Sequence, residues 1–143
     1  MVKSFTFELP YLLQNGPTCP IIIKPSDVTI EKLKLEKLQT PFIKIQALID
    51  TGASTTAISH RVVNRLGLQS RGTTTVYTSN RHFEKRNEYD IALEFDVDSY
   101  ISVLRVLEAN LENLSIDCLI GRDVLQYGKF IYDGPKNQIT LSF

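Results

Sequence analysis

The stretch "ALIDTGAST", residues 47–55, ends an apolar, strand-like run in an acid followed by Thr, Gly, Ala and Ser. An acid at the end of a buried strand is costly unless the fold uses its charge or its proton. Asp50 is therefore either a turn residue that follows a strand or the working carboxylate of a site. The turn reading is chemically complete by itself. Asp accepts backbone N–H bonds, Thr adds another, and Gly allows positive φ. Asp-Thr-Gly alone decides nothing, so its surroundings must.

Upstream, "FIKIQALID" (42–50) puts Ile43, Ile45, Ala47 and Ile49 on one face by period-two alternation. Downstream, "TTTVYTS" (73–79) and "NEYDIALEF" (87–95) are two strand-like arms around a polar tip. In "YDIALEFDV" (89–97), Tyr89, Ile91, Leu93, Phe95 and Val97 share a face. Some seventy residues after the motif comes "CLIGRDVL", in which a second apolar pair, Leu119-Ile120, precedes Gly121 and a short helix. The ending "GKFIYDGPKNQITLSF" reads as a hairpin, with Asp133-Gly134-Pro135-Lys136-Asn137 as its turn.

Other segments read as short strands: "FTFEL" (5–9), "YISVLRVLEA" (100–109) and "IDCLIG" (116–121). "CPIIIKP" (19–25) is bounded by prolines, which predicts an edge strand. Two segments predict helix: "SHRVVNRLGL" (59–68), with Ser59 as N-cap and Gly67 as stop, and "RDVLQYG" (122–128). "EKLKLEKLQ" (31–39) fits neither period and reads as a surface excursion. The class is mainly β, dense enough in strands for a closed barrel or sandwich. One domain over 1–143 is expected, with outer strands and an N-terminal extension in 1–40 and the core in 41–143.

Composition narrows the function. Sixteen basic and sixteen acidic residues cancel, so no electrostatic footprint for nucleic acid or anionic membrane stands out. The densest charge cluster, "RHFEKRNE" (81–88), carries both signs and reads as a solvated loop. Cys19 and Cys118 are far apart, and His60 and His82 sit alone, so no metal or other cofactor is expected. Reduced core thiols are the default, with a single disulfide left open. "MVKSFTFELPYLL" does not read as a signal peptide and no stretch is long enough to span a bilayer as a helix, which makes a cytosolic setting the expectation.

In "LIDTGAS", the hairpin 73–92 and "LIGRDVL", the chain resembles the retropepsin-like aspartic proteases over residues 41–143. The resemblance implies a closed, barrel-like retropepsin fold with one or two short helices, and peptide hydrolysis through two carboxylates sharing a proton around a water. One Asp-Thr-Gly per chain means that the dyad requires a homodimer, as in that family. The resemblance makes Asp50 the catalytic carboxylate and gives Thr51 a hydrogen bond across to the partner chain. Gly52, with its carbonyl, Ala53 and Ser54 would then line the substrate cleft. Leu119, Ile120, Gly121 and Arg122 would support the active-site loop.

The chain also departs from the viral members. Its hairpin tip lacks glycine, so Thr78, Ser79 and Asn80 are the expected flap contacts, with Asn80 the residue best suited to left-handed backbone. Ser54 stands where the viral enzymes carry the acid that pairs with the helix Arg, leaving Arg122 to find another partner. These features resemble bacterial or cellular single-domain members more than viral ones. Three rival readings remain: a catalytically silent retropepsin-like dimerisation or peptide-binding module, a β-barrel binding domain in which Asp50 only makes a turn, and a serine hydrolase using Ser59 or Ser54 with His60.

Overall fold

Alternating apolar residues build the frame that carries Asp50. A computed structural model describes residues 2–95 and 99–143. In chain order the elements are β1 (Ser4–Glu8), α1 (Leu12–Asn15), β2 (Thr18–Pro25), α2 (Asp27–Leu35), β3 (Ile43–Ile49), β4 (Ala57–Ile58) and α3 (His60–Leu66). They continue with β5 (Gly72–Tyr77), β6 (Phe83–Phe95), β7 (Ser99–Glu108), β8 (Cys118–Ile120), α4 (Arg122–Leu125), β9 (Lys129–Asp133) and β10 (Gln138–Ser142). Val97, expected on the inner face of the strand over 89–97, lies outside the described residues.

Six strands close a mainly β barrel in the order β2-β3-β8-β4-β7-β6, with β6 pairing back onto β2. β5 extends the sheet beyond β6 as the other arm of a hairpin. β3 buries Ile43, Ile45, Ala47 and Ile49 and exposes Lys44 and Gln46, the alternation read from its sequence. The expectation of an edge strand for "CPIIIKP" fails. β2 pairs with β3 over 18–23 and with β6 over 21–25. Pro20 falls where only β3 is its neighbour and Pro25 where only β6 is, so each missing N–H faces a single ladder. Ile21, Ile22 and Ile23 between them have a strand on either side. The first forty residues therefore contribute a barrel strand as well as outer elements.

A second sheet, in the order β1-β10-β9, lies against the barrel. Phe5, Ile139 and Leu141 on its inner face join the barrel residues in one buried cluster, and Phe143 stacks on Phe95 with ring centroids 5.0 Å apart. The C-terminal hairpin thus folds back onto β1 of its own chain. On its outer face, hydroxyls pair across β1 and β10: Ser4 with Ser142 at 2.8 Å, and Thr6 with Thr140 at 2.9 Å.

Among the described residues, four α-helices and a 3-10 turn (Glu112–Leu114) stand where one or two short helices were expected. α3 follows its sequence signals: Ser59 Oγ accepts the Val62 N–H, and Gly67 ends the helix with φ 60°, where a side chain would be strained. α1 is too short to show a period. α2 buries none of its residues, so no apolar stripe marks it. Its one local sign is Ser26-Asp27 ahead of the first turn. Cys19 and Cys118 are buried free thiols that flank Ala47 in one row across β2, β3 and β8. Two strand spacings separate them by roughly 10 Å, beyond the reach of a disulfide. Burial pushes the Cys19 thiol up to about 12 and the Cys118 thiol up as well, which keeps both unreactive.

Asp117 ties α3 to the start of β8. Its carboxylate accepts the Ser59 hydroxyl at 2.8 Å and two guanidinium bonds from Arg61, and its carbonyl accepts the Ser59 N–H. The Arg61 hydrogen bonds hold the Asp117 carboxyl below its ordinary value of 3.8. A carboxyl depressed in the folded state adds stability above its unfolded pKa and loses it as pH falls through the folded one. Urea unfolding of Asp117→Asn should therefore show a stability deficit at pH 7 that shrinks as pH drops below about 4, where the two proteins converge.

Candidate active site

The loop from Asp50 to Thr56 connects β3 to β4, and its shape follows from the strand pairing beneath it. β3 and β8 run parallel with Leu48 opposite Leu119 and Ile49 opposite Ile120. The two apolar pairs of the sequence are thus register partners, and the chain leaves both strands on the same side of the barrel. The Asp50 N–H donates to the Ile120 carbonyl at 2.9 Å, fixing the start of the loop on the end of β8.

Asp50 is half-buried, while Thr51 and Gly52 are exposed. Its Oδ1 accepts the Gly52 N–H at 2.9 Å, which closes an Asx-type turn. A Cβ on Gly52 would sit 3.1 Å from that same oxygen, so glycine here leaves the carboxylate in place. Among the described residues, no hydrogen bond engages Oδ2. The turn reading and the working-carboxylate reading are thus compatible: one oxygen holds the turn and the other remains available.

α4 braces the loop from below. The Arg122 N–H donates to the Ala53 carbonyl at 2.8 Å, and its guanidinium donates to the Thr51 carbonyl at 2.7 Å. Arg122, left without an acid at position 54, has a backbone carbonyl as its partner. Gly121 is buried where a Cβ would meet Thr55 C at 2.8 Å and Ala53 O at 3.0 Å. Any side chain would push the loop off the helix.

Two residues in this brace were missed in the sequence. Asp123 accepts the Thr56 N–H at 2.9 Å, the Thr56 hydroxyl at 2.7 Å and the Val124 N–H at 3.0 Å, and Thr56 Oγ1 in turn accepts the Gly121 N–H at 3.1 Å. Thr56 is fully buried. A buried hydroxyl that both donates and accepts is costly to lose, because each partner is then left unsatisfied. The only sign of it in the sequence is a second Thr after Thr55, indistinguishable from the solvated hydroxyls around it.

The loop forms one wall of a cleft of about 1130 Å³, lined by Asp50, Gly52, Ala53 and Ser54 and, from the β5–β6 hairpin, by Val76, Tyr77 and Ser79. Leu119 also reaches it, whereas Ile120 is part of the core. Of the expected hairpin contacts, Ser79 reaches the cleft, and Thr78 and Asn80 are not among its lining. Thr78 instead closes the tip, its N–H and hydroxyl both donating to the His82 carbonyl. The left-handed position is Arg81, φ 61°, rather than Asn80. In a three-residue hairpin loop the left-handed residue comes last, and 79–81 form that loop.

Ser59 and His60 have separate tasks: Ser59 Oγ bonds Asp117 and Val62, and His60 Nδ1 meets Glu108 Oε1 at 2.6 Å. That leaves no Ser–His pair for a hydrolase at this position. Among the described residues, no three His, Cys, Asp or Glu side chains group as a metal site requires, and no helix is long and apolar enough to cross a membrane.

A family model described as "gag-polyprotein putative aspartyl protease" matches residues 39–127. Among curated proteins, none matches the chain in sequence. The fold is similar to that of a retropepsin-like aspartic protease from Rickettsia conorii, with TM-score 0.61 and 16% identity over 100% of this chain and 93% of that one. It is also similar to EIAV protease complexed with the inhibitor HBY-793, with TM-score 0.53 and 20% identity over 83% of this chain and 93% of that one. Coverage and shape favour the bacterial protein, whereas identity does not.

Replacing Thr56 with Val keeps its volume and removes the hydroxyl shared by Asp123 and Gly121. Chemical denaturation should show a loss of about 2 kcal/mol, the usual size for a buried hydrogen bond to a charged group.

Proposed function

The chain belongs to the gag-polyprotein aspartyl protease family, and from that premise we propose that it is an aspartic endopeptidase acting on extended polypeptides. The observation that carries the proposal is the placement of Asp50. It stands on the cleft wall, with one carboxylate oxygen fixed by Gly52 and the loop fixed by β8 and α4.

One carboxylate is half of the chemistry. Two copies of the chain, related by a two-fold axis beside Asp50, supply the pair. Held about 3 Å apart, the two carboxylates cannot both ionise, so they share one proton and titrate as a unit. The ionised member takes a proton from a water between them as that water attacks the scissile carbonyl, and the protonated member polarises the carbonyl oxygen. The proton then passes to the leaving amine.

The remaining roles follow from position. Thr51 bonds across to the partner subunit's loop while Arg122 holds its carbonyl from behind. The Gly52 carbonyl accepts a substrate N–H, and Ala53, Ser54 and the hairpin residues Val76, Tyr77 and Ser79 border the bound strand. The β5–β6 hairpin acts as the flap. An extended peptide suits such a cleft because its backbone pairs in β-fashion. Residues 1–143 act as one unit, since β2 closes the barrel and β1 completes the second sheet.

Incubating the chain with an unstructured protein between about pH 4 and 7, beside Asp50→Asn, tests the reading by mass spectrometry of the products. The expected outcome is cleavage by wild type, inhibited by a statine peptide and reduced at least about 10³-fold in the variant. A dimeric wild type that shows no Asp50-dependent cuts would overturn the endopeptidase reading in favour of a silent binding module.

A further inference from the structure

Among the described residues, three large apolar side chains stay exposed on the walls of the Asp50 cleft, each from a different part of the fold. Tyr77 ends β5 and is 61% exposed, Val103 on β7 is 49% exposed, and Tyr127, just after α4, is 70% exposed. A single exposed apolar residue is ordinary. Three from separate elements that converge on one concavity form an apolar surface open to a ligand.

The backbone sets two of them in place and a neighbouring ring braces the third. On β7, Ser102 and Val103 together oppose the single residue Ala92 of β6, which makes a β-bulge between Ile101 and Leu104. Ile101 and Leu104 pack against the core, while Val103 faces the cleft. The Tyr127 N–H donates to the Val124 carbonyl at 3.2 Å, which carries the turn of α4 on to it. Tyr77 is the cross-strand partner of Phe83, and their ring centroids are 5.0 Å apart at an interplanar angle of 57°. An edge-tilted pair of this kind holds the Tyr77 ring in position.

The polar groups of the cleft narrow what it can select. Arg105 donates to Glu88 at 3.0 Å and to Asp90 at 2.6 Å, and Asp123 accepts the three bonds of the brace. The Gln126 amide donates to the Asp123 carbonyl at 2.9 Å. Apart from Asp50, the charges on these walls are therefore engaged within the chain. A side chain entering beside Tyr77, Val103 and Tyr127 meets rings and methyl groups, an environment that suits an aromatic residue best.

Position along the cleft follows from α4. Arg122, at its start, bonds the Ala53 and Thr51 carbonyls, and Tyr127 lies about 7.5 Å of helical rise further on. An extended peptide covers that length in roughly two residues. We propose that Tyr77, Val103 and Tyr127 form a subsite that selects an aromatic side chain about two residues from the bond that is cut. In a two-fold pair the subsite occurs once on each side of that bond. The inference rests on the endopeptidase reading and names the substrate class for it.

Dodecapeptide pools with one position fixed as Phe, Ala or Lys and the others randomised test the subsite, with cuts by wild type, Tyr127→Ser and Leu35→Ser read by mass spectrometry. Wild type and Leu35→Ser, altered on α2 outside the cleft, should favour Phe over Ala by about 10-fold in kcat/KM at roughly two residues from the cut. Tyr127→Ser should lose that preference. The Phe-to-Ala ratio within one variant does not depend on how much of the chain is folded or paired, so a purely structural defect leaves it unchanged. A ratio retained in Tyr127→Ser overturns the subsite, as does a wild type that favours Ala or Lys at that position or is indifferent to it. If a dimeric wild type cuts none of the pools, fluorescence anisotropy of labelled Phe-fixed and Ala-fixed pools decides. Tighter binding of the Phe pool that Tyr127→Ser abolishes supports the subsite and overturns the endopeptidase reading, whereas equal binding of the two overturns the subsite as well.

Discussion

The parallel pairing of β3 with β8 is the constraint from which the site descends. Antiparallel neighbours would send their following segments to opposite ends of the sheet. Parallel ones release them side by side, and here those segments are the Asp50 loop and α4. The loop can therefore be braced by direct backbone contact, with Asp50 bonded to Ile120 and Ala53 to Arg122. Parallel strands also require a long crossover. This one contains β4 to β7, which is how the β5–β6 hairpin comes to border the same cleft as the loop that precedes it.

Inside the brace, Thr56 and Asp123 trade flexibility for precision of placement. Asp123 takes three donors, and Thr56 relays the arrangement to the Gly121 N–H. A buried network of this kind is satisfied in one geometry and costly in neighbouring ones, so it fixes the loop more sharply than apolar packing would. Gly121 and Gly52 contribute by omission. The first lets helix and loop touch, and the second lets the carboxylate turn back onto its own backbone.

Much of this was legible in the residues. The alternation of β3 and β6, the caps of α3 and the order of the two apolar pairs depend on local periodicity and turn chemistry, which a sequence displays directly. What stayed hidden depends on contacts across the chain. Nothing local says that β2 has two neighbours, because its prolines are as compatible with half-open ladders as with an edge. α2 has no buried face to betray it. Asp123 and Thr56 are ordinary residues until the fold sets them 2.7 Å apart. At the hairpin tip, the residue with left-handed backbone was decided by loop length and not by residue type, and it fell on Arg81.

Closure through β2 also defines what counts as the smallest intact unit. The segment shared with the family runs from residue 39 to 127 and contains the Asp50 loop, the hairpin and α4. It omits β1, β2, β9 and β10. Cut out on its own, it would present β3 and β6 as two open edges, with Ile45, Ala47, Leu93 and Phe95 no longer covered. Open apolar edges of that kind recruit other chains. The Asp50 loop and the strand that covers the edges of β3 and β6 thus occupy different parts of the chain.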